Sequence, residues 1–114
     1  MKHISYTEVP LEPVTMAGAQ GVSVRWVISE ADGAPNFAMR IFEVEPGGNT
    51  PYHEHPWEHE VFILAGSGVL TIEGQDEKLQ PQDVVFVPPG ISHNFRAGES
   101  GMTFICLVPH RKQA

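Results

Sequence analysis

Apolar side chains fall on every second position from Val22 to Ile28, with Val22, Val24, Trp26 and Ile28 on one side of the chain. Successive strand side chains point to opposite faces, so this period of two predicts a half-buried β-strand. Ala31 to Pro35 then reads as a turn, and Asn36 to Glu45 as a second strand closed by Pro46-Gly47-Gly48. In that strand Phe37, Met39 and Ile41 share one face, and Ala38, Arg40, Phe42 and Val44 the other. Thr50 to His55 and His59 to Leu64 are expected as strands on either side of a Pro56-Trp57-Glu58 kink, followed by a turn at Ala65 to Gly68 and a strand at Val69 to Glu73. Gly74 to Glu77 is read as another turn. Lys78 to Gln80, Asp83 to Val87, Ser92 to Arg96 and Met102 to Val108 complete the series, separated by Pro81, by Pro88-Pro89-Gly90 and by Gly98 to Gly101. No segment keeps a 3.6-residue period. About ten short antiparallel strands, with turns roughly every 8 to 12 residues, predict an all-β sandwich or barrel.

Pro10 and Pro13 break any helix near the start, and Gly18 and Gly21 bound a loop. Residues 1–21 therefore read as an N-terminal arm or edge strand, 22–110 as the barrel and 111–114 as a C-terminal tail. The 114 residues suffice for one domain and not for two. With 11 glycines, 10 prolines and only 18% charged residues, the chain is turn-rich and excludes a coiled coil. Its 14 acids against 7 bases give a net charge of −7, the wrong sign for nucleic acid or an anionic membrane. Cys106 is the single cysteine, so neither an internal disulfide nor a thiolate zinc cluster can form, and a reducing, cytoplasmic setting is expected. The N-terminus lacks an apolar signal core, and the longest apolar stretch, Val61 to Ala65, is far short of the ~20 residues a membrane helix needs. No Gly-rich phosphate loop or Ser/His/Asp order supports a nucleotide-binding or hydrolase reading.

Four of the six histidines, His53, His55, His59 and His93, sit where strands begin just after turns. Residues two apart on a strand share a face, so His53 and His55 offer two imidazoles to one side. His59 joins them if the Pro56-Trp57 kink keeps the register, and His93 must arrive from a distant strand, which a barrel permits. Neutral imidazoles suit zinc, copper, iron or nickel, whereas several buried histidines without partners would be costly to desolvate. The alternative is a hydrogen-bonded polar barrel interior.

These residues carry a resemblance to the cupin superfamily. Its first motif, Gly-x5-His-x-His-x3–4-Glu-x6-Gly, is similar to Gly47, His53 and His55 continuing through Pro56-Trp57-Glu58-His59-Glu60 to Gly66. The second, Pro-x-Gly-x-x-His, falls on Pro88, Gly90 and His93. His59 stands where the family usually has its glutamate ligand, with Glu60 one position later; Gln82 and Ala97 replace the usual glycine and asparagine. The sequence most resembles small bacterial single-domain manganese cupins with four histidine ligands. That resemblance implies a cupin-type jelly-roll β-barrel, a homodimer, and one divalent ion per chain on His53, His55, His59 and His93, with Mn2+ ahead of Fe2+ or Zn2+. It also implies an oxidoreductase resembling those that cleave C=C bonds with peroxide.

Around that site, Trp57, Phe95 and Phe104 are either pocket walls or plain core. Arg40 is either a pocket cation or an exposed surface arginine. Cys106 alternates with Met102, Phe104 and Val108 and reads as a small buried hydrophobe or a pocket thiol. Glu58, beside His59, is the candidate acceptor for the outer N–H of an imidazole. Four neutral ligands leave a divalent ion its full charge and favour an anionic or chelating oxygen ligand. The expected function is dioxygenase-like chemistry on a small oxygenated or phenolic molecule with O2 or a peroxide. Metal-dependent cyclisation or isomerisation without redox, and a non-catalytic small-ligand-binding module, remain the alternatives.

Overall fold

The computed structural model describes residues 1–110, so the tail expected at 111–114 lies outside the described residues. Seven strands form one antiparallel system: β1 (Glu12–Pro13), β2 (Gln20–Ile28), β3 (Phe37–Asn49), β4 (His59–Ile72), β5 (Gln75–Leu79), β6 (Val84–Val87) and β7 (His93–Pro109). Their order is β1-β2-β3-β7-β4-β5, with β6 paired to β4, and every pairing is antiparallel. This is the all-β architecture that the alternation predicts, in the jelly-roll barrel form that the family resemblance implies. Among the described residues the only helical pieces are single 3-10 turns at Tyr6–Glu8 and Glu30–Asp32, and no helix is long and apolar enough to cross a membrane.

The strands are fewer and longer than expected because glycine segments that resemble turns are bends inside continuous strands. β4 runs through Ala65 to Gly68 and β7 through Gly98 to Gly101, with register shifts against each other between Ile63 and Ala65 and between Gly66 and Gly68. Gly66 (φ +80°) lies so close to Gly101 that a Cβ there would overlap the Gly101 carbonyl. Only glycine combines that approach with a left-handed backbone. Each bent strand thus serves both halves of the barrel. A true turn occurs at Glu73-Gly74, both at positive φ, which joins β4 to β5 as a two-residue hairpin.

Thr50 to His55 forms no continuous strand; it is tied to β7 by a backbone bond from the Thr50 N–H to the Phe95 carbonyl and by an isolated bridge from His53 to His93. Pro51 and Pro56 lack the N–H groups that a continuing ladder needs. In β2 the expected face of Val22, Val24, Trp26 and Ile28 breaks at a register shift between Trp26 and Ile28. There Val27 becomes buried while Trp26 and Ile28 stay exposed. The N-terminal arm lies along its own barrel: β1 pairs with β2, and the Arg25 guanidinium donates to the carbonyls of Thr7 and Val9.

The core follows the alternation elsewhere. Val61 and Ile63 of β4 are buried while Glu60, Phe62 and Leu64 face out. On β7, Met102, Phe104, Cys106 and Val108 all point inward. Phe104 stacks on Phe42 at 5.2 Å and on Phe95 at 4.8 Å between ring centroids, which closes the barrel beneath the histidines.

Candidate metal centre

Backbone pairing sets the first contact of the site. The His53 N–H donates to the His93 carbonyl (3.1 Å) and the His93 N–H to the His53 carbonyl (3.0 Å), so the two side chains share a face. His55, two residues beyond His53, returns to that face. Thr50 braces the arrangement, its hydroxyl accepting from the Phe95 N–H at 2.9 Å. The ring nitrogens of His53, His55 and His93 all lie within 4.8 Å of one another.

His59 opens β4 and points inward, so the kink at Pro56-Trp57 preserves the register the histidines need. Its Nε2 stands 2.9 Å from His55 Nε2 at the edge of the three-histidine group. Glu60, the next residue, is exposed on the opposite face and does not substitute for it. Glu58, just before β4, is half-buried. Its carboxylate shares a hydrogen bond with Glu60. That bond, with partial burial and the repulsion of Glu58, holds the Glu60 carboxyl above its ordinary value.

Backbone carbonyls orient the imidazoles. His55 Nδ1 lies 3.0 Å from the Trp57 carbonyl and His93 Nδ1 lies 2.8 Å from that of Ile91. A carbonyl only accepts, so each Nδ1 carries the proton and each Nε2 offers a bare lone pair to the cluster. The Trp57 indole also stacks on His55 at 4.4 Å and 2°, fixing the ring plane. Burial keeps the rings neutral. It lowers His53 and His55 below their ordinary values, and it drives His59 to about 3 with the help of the Arg40 charge and the neighbouring imidazoles.

The unprotonated Nε2 atoms of His55 and His93, with their Nδ1–H groups tied to carbonyls and a His53 ring nitrogen within 4.8 Å, are the donor set of an imidazole metal site. A separation of 2.9 Å also suits two neighbouring nitrogens on one ion, since bonds of about 2.1 Å at right angles put them about 3 Å apart. The residues present therefore fit a divalent ion, which His53, His55 and His93 can hold.

The histidines line a cavity of about 450 Å3, within the usual range for small-molecule sites. Trp57, Phe95, Phe104, Cys106 and Arg40 all line it. Arg40 Nη2 lies 3.1 Å from Cys106 Sγ and 3.5 Å from His59 Nδ1. Burial raises the Cys106 thiol above its ordinary value, against the pull of Arg40, so sulfur stays protonated. Further walls come from Val14 and Met16 of the arm and from Val22, Val24, Trp26 and Phe42. The parities of Val24 and Arg40 point to the strand residues. Nothing in the pattern of residues 1–21 marks the arm as a wall.

A bent antiparallel barrel carrying inward histidines over an apolar cavity defines a small metal-binding β-barrel protein. Residues 40–108 match the Cupin domain family model, and the chain belongs to that family. The polyketide cyclase RemF from Streptomyces resistomycificus superposes with a TM-score of 0.90 at 38% identity, covering 96% of this chain and 79% of RemF. A 1-methylthio-D-xylulose 5-phosphate methylsulfurylase of Rhodospirillum rubrum is 35% identical over 61% of this chain and 46% of its own length. An acireductone dioxygenase of Bacillus pumilus is 32% identical over 70% of this chain and 46% of its own length. The chain thus spans about half the length of these two curated relatives.

Proposed function

We propose that this protein is a manganese- or iron-dependent oxidoreductase that acts on a small oxygenated organic molecule with O2 or a peroxide. The observation that carries the reading is the set of bare Nε2 lone pairs converging at the base of an apolar cavity. His53, His55, His93 and, by its 2.9 Å approach to His55, His59 hold the ion. A divalent ion there supplies Lewis acidity and, for manganese or iron, a one-electron couple. The chain's own groups do the rest. The Trp57 and Ile91 carbonyls hold the proton on Nδ1, Phe104 and Phe95 close the cavity floor, and Arg40 supplies a fixed positive charge beside His59. The similarity to an acireductone dioxygenase supports the oxidative reading.

The similarity to RemF favours a second reading, metal-dependent cyclisation in which the ion polarises a carbonyl and zinc serves as well. Metal identity separates the two. Elemental analysis of protein purified without added metal or chelator, with electron paramagnetic resonance, should find about one manganese or iron per chain and O2 or peroxide consumption with phenolic alkenes. Stoichiometric zinc supporting turnover without an oxidant would replace the first reading by the second, and a chain that takes up no metal would overturn both.

A further inference from the structure

Arg40 carries a guanidinium, yet no carboxylate pairs with it: the ion pairs among the described residues are Lys2–Asp32, Arg25–Glu43 and Arg96–Asp76. Its nearest polar neighbours, both beside Nη2, are the Cys106 sulfur at 3.1 Å and His59 Nδ1 at 3.5 Å, which belong to neutral groups. Its Nε is buried with no partner. The guanidinium is nevertheless held firmly, with Trp26 at 5.3 Å and Phe42 at 4.9 Å from its central carbon to their ring centroids. A half-buried charge of fixed orientation, with a buried Nε and no counter-ion, is incomplete until a negative group arrives.

The rest of the cavity gives that group its shape. Glu12 of the arm is the only acid among the lining residues, and apolar side chains form most of the wall. The chain as a whole carries −7, so the Arg40 charge in the cavity is a local device and not a general property of the surface. We infer that the substrate is a small organic oxyanion, a carboxylate, phenolate or enolate on an apolar or aromatic body, and that Arg40 anchors its negative oxygen beside the histidine cluster. This rests on the reading of the cavity as the substrate pocket, but not on the identity or presence of the metal.

The test uses 2-naphthoate and its neutral isostere 2-naphthamide, titrated calorimetrically into wild type, Arg40→Met and Arg40→Lys, each metal-free and Mn(II)-loaded; melting curves check folding. A 4-nitrophenolate arm, read from its absorbance, separates phenolate-type anions from carboxylates. Wild type should prefer naphthoate over naphthamide by about 10- to 100-fold even without metal, as expected for a charge-assisted hydrogen bond. Arg40→Met should bring that ratio to about one while the naphthamide affinity holds, and Arg40→Lys should retain part of it. A preference that appears only with metal and survives Arg40→Met overturns the inference while leaving the metal reading intact. Naphthoate binding no tighter than naphthamide, or absent at millimolar concentration together with 4-nitrophenolate binding, overturns it as well. An anion preference in a chain that takes up no metal sustains the inference and removes the metal reading alone.

Discussion

The metal-free protein should lose stability between pH 7.5 and 4.5, and His59 should account for a defined share of the loss. Burial and the Arg40 charge move His59 from an ordinary value of 6.5 to about 3 in the folded chain, so folding favours the neutral ring. Its contribution is complete above 6.5 and disappears as pH falls toward 3. At pH 4.5 the unfolded ring is almost wholly protonated and the folded one almost wholly neutral, which gives a loss of about 2.7 kcal/mol relative to pH 7.5. That figure is insensitive to the folded value as long as it lies well below 4.5. His53 and His55, also lowered by burial, change stability in the same direction. Urea denaturation of chelator-treated protein at the two pH values measures the total, and the same experiment on His59→Gln isolates the share. The variant should fall by about 2.7 kcal/mol less than wild type over the same interval. An equal fall in both proteins would refute the assignment of this term to His59.

Other consequences are direct. His93→Ala and His53→Ala should each abolish stoichiometric metal uptake in elemental analysis, since each removes one of the three nitrogens lying within 4.8 Å of one another; full retention would contradict the cluster. Phe104→Ala, at a site only 2% exposed and stacked on two rings, should cost about 3–5 kcal/mol in urea denaturation, and a loss under about 1 kcal/mol would show that the floor is not packed as described. Gly66→Ala should give little folded protein, because its Cβ meets the Gly101 backbone; wild-type melting would count against the close crossing. A homodimer is the expected state, built on Phe62, Leu64, Val84 and Phe86 at the exposed face of β4 and the open edge of β6, and Val84→Lys should shift light scattering to the monomer. A wild-type monomer at high micromolar concentration would refute that assembly.

Much of this was legible in the sequence because strand parity is a local property. The alternation through His53 and His55, and again through Met102, Phe104 and Cys106, places side chains correctly without knowledge of the fold. What parity does not encode is a change of register. The bulge that buries Val27 and turns out Ile28, and the bends at Gly66 and Gly101, depend on strands that meet only in the folded chain. Sequence proximity alone does not assign a role to Glu58, which stands before β4 begins and interacts with Glu60. The roles of Val14 and Met16 came from tertiary packing, since the arm's own pattern has no period that would place it over the cavity.

The bridge between His53 and His93 also sets an order of events. Thr50 and Phe95, joined beside it, are 45 residues apart in sequence, and the whole of β4, β5 and β6 lies between them. Closing such a loop is entropically expensive and comes after local hairpins such as β4–β5 have formed. On a growing chain the histidines at 53, 55 and 59 precede by a long interval the strand that completes the cluster, and an early-captured ion would find only part of its ligands. Metal uptake in the full geometry is thus a late step, and its rate during refolding reports when the two ends of the barrel have found each other.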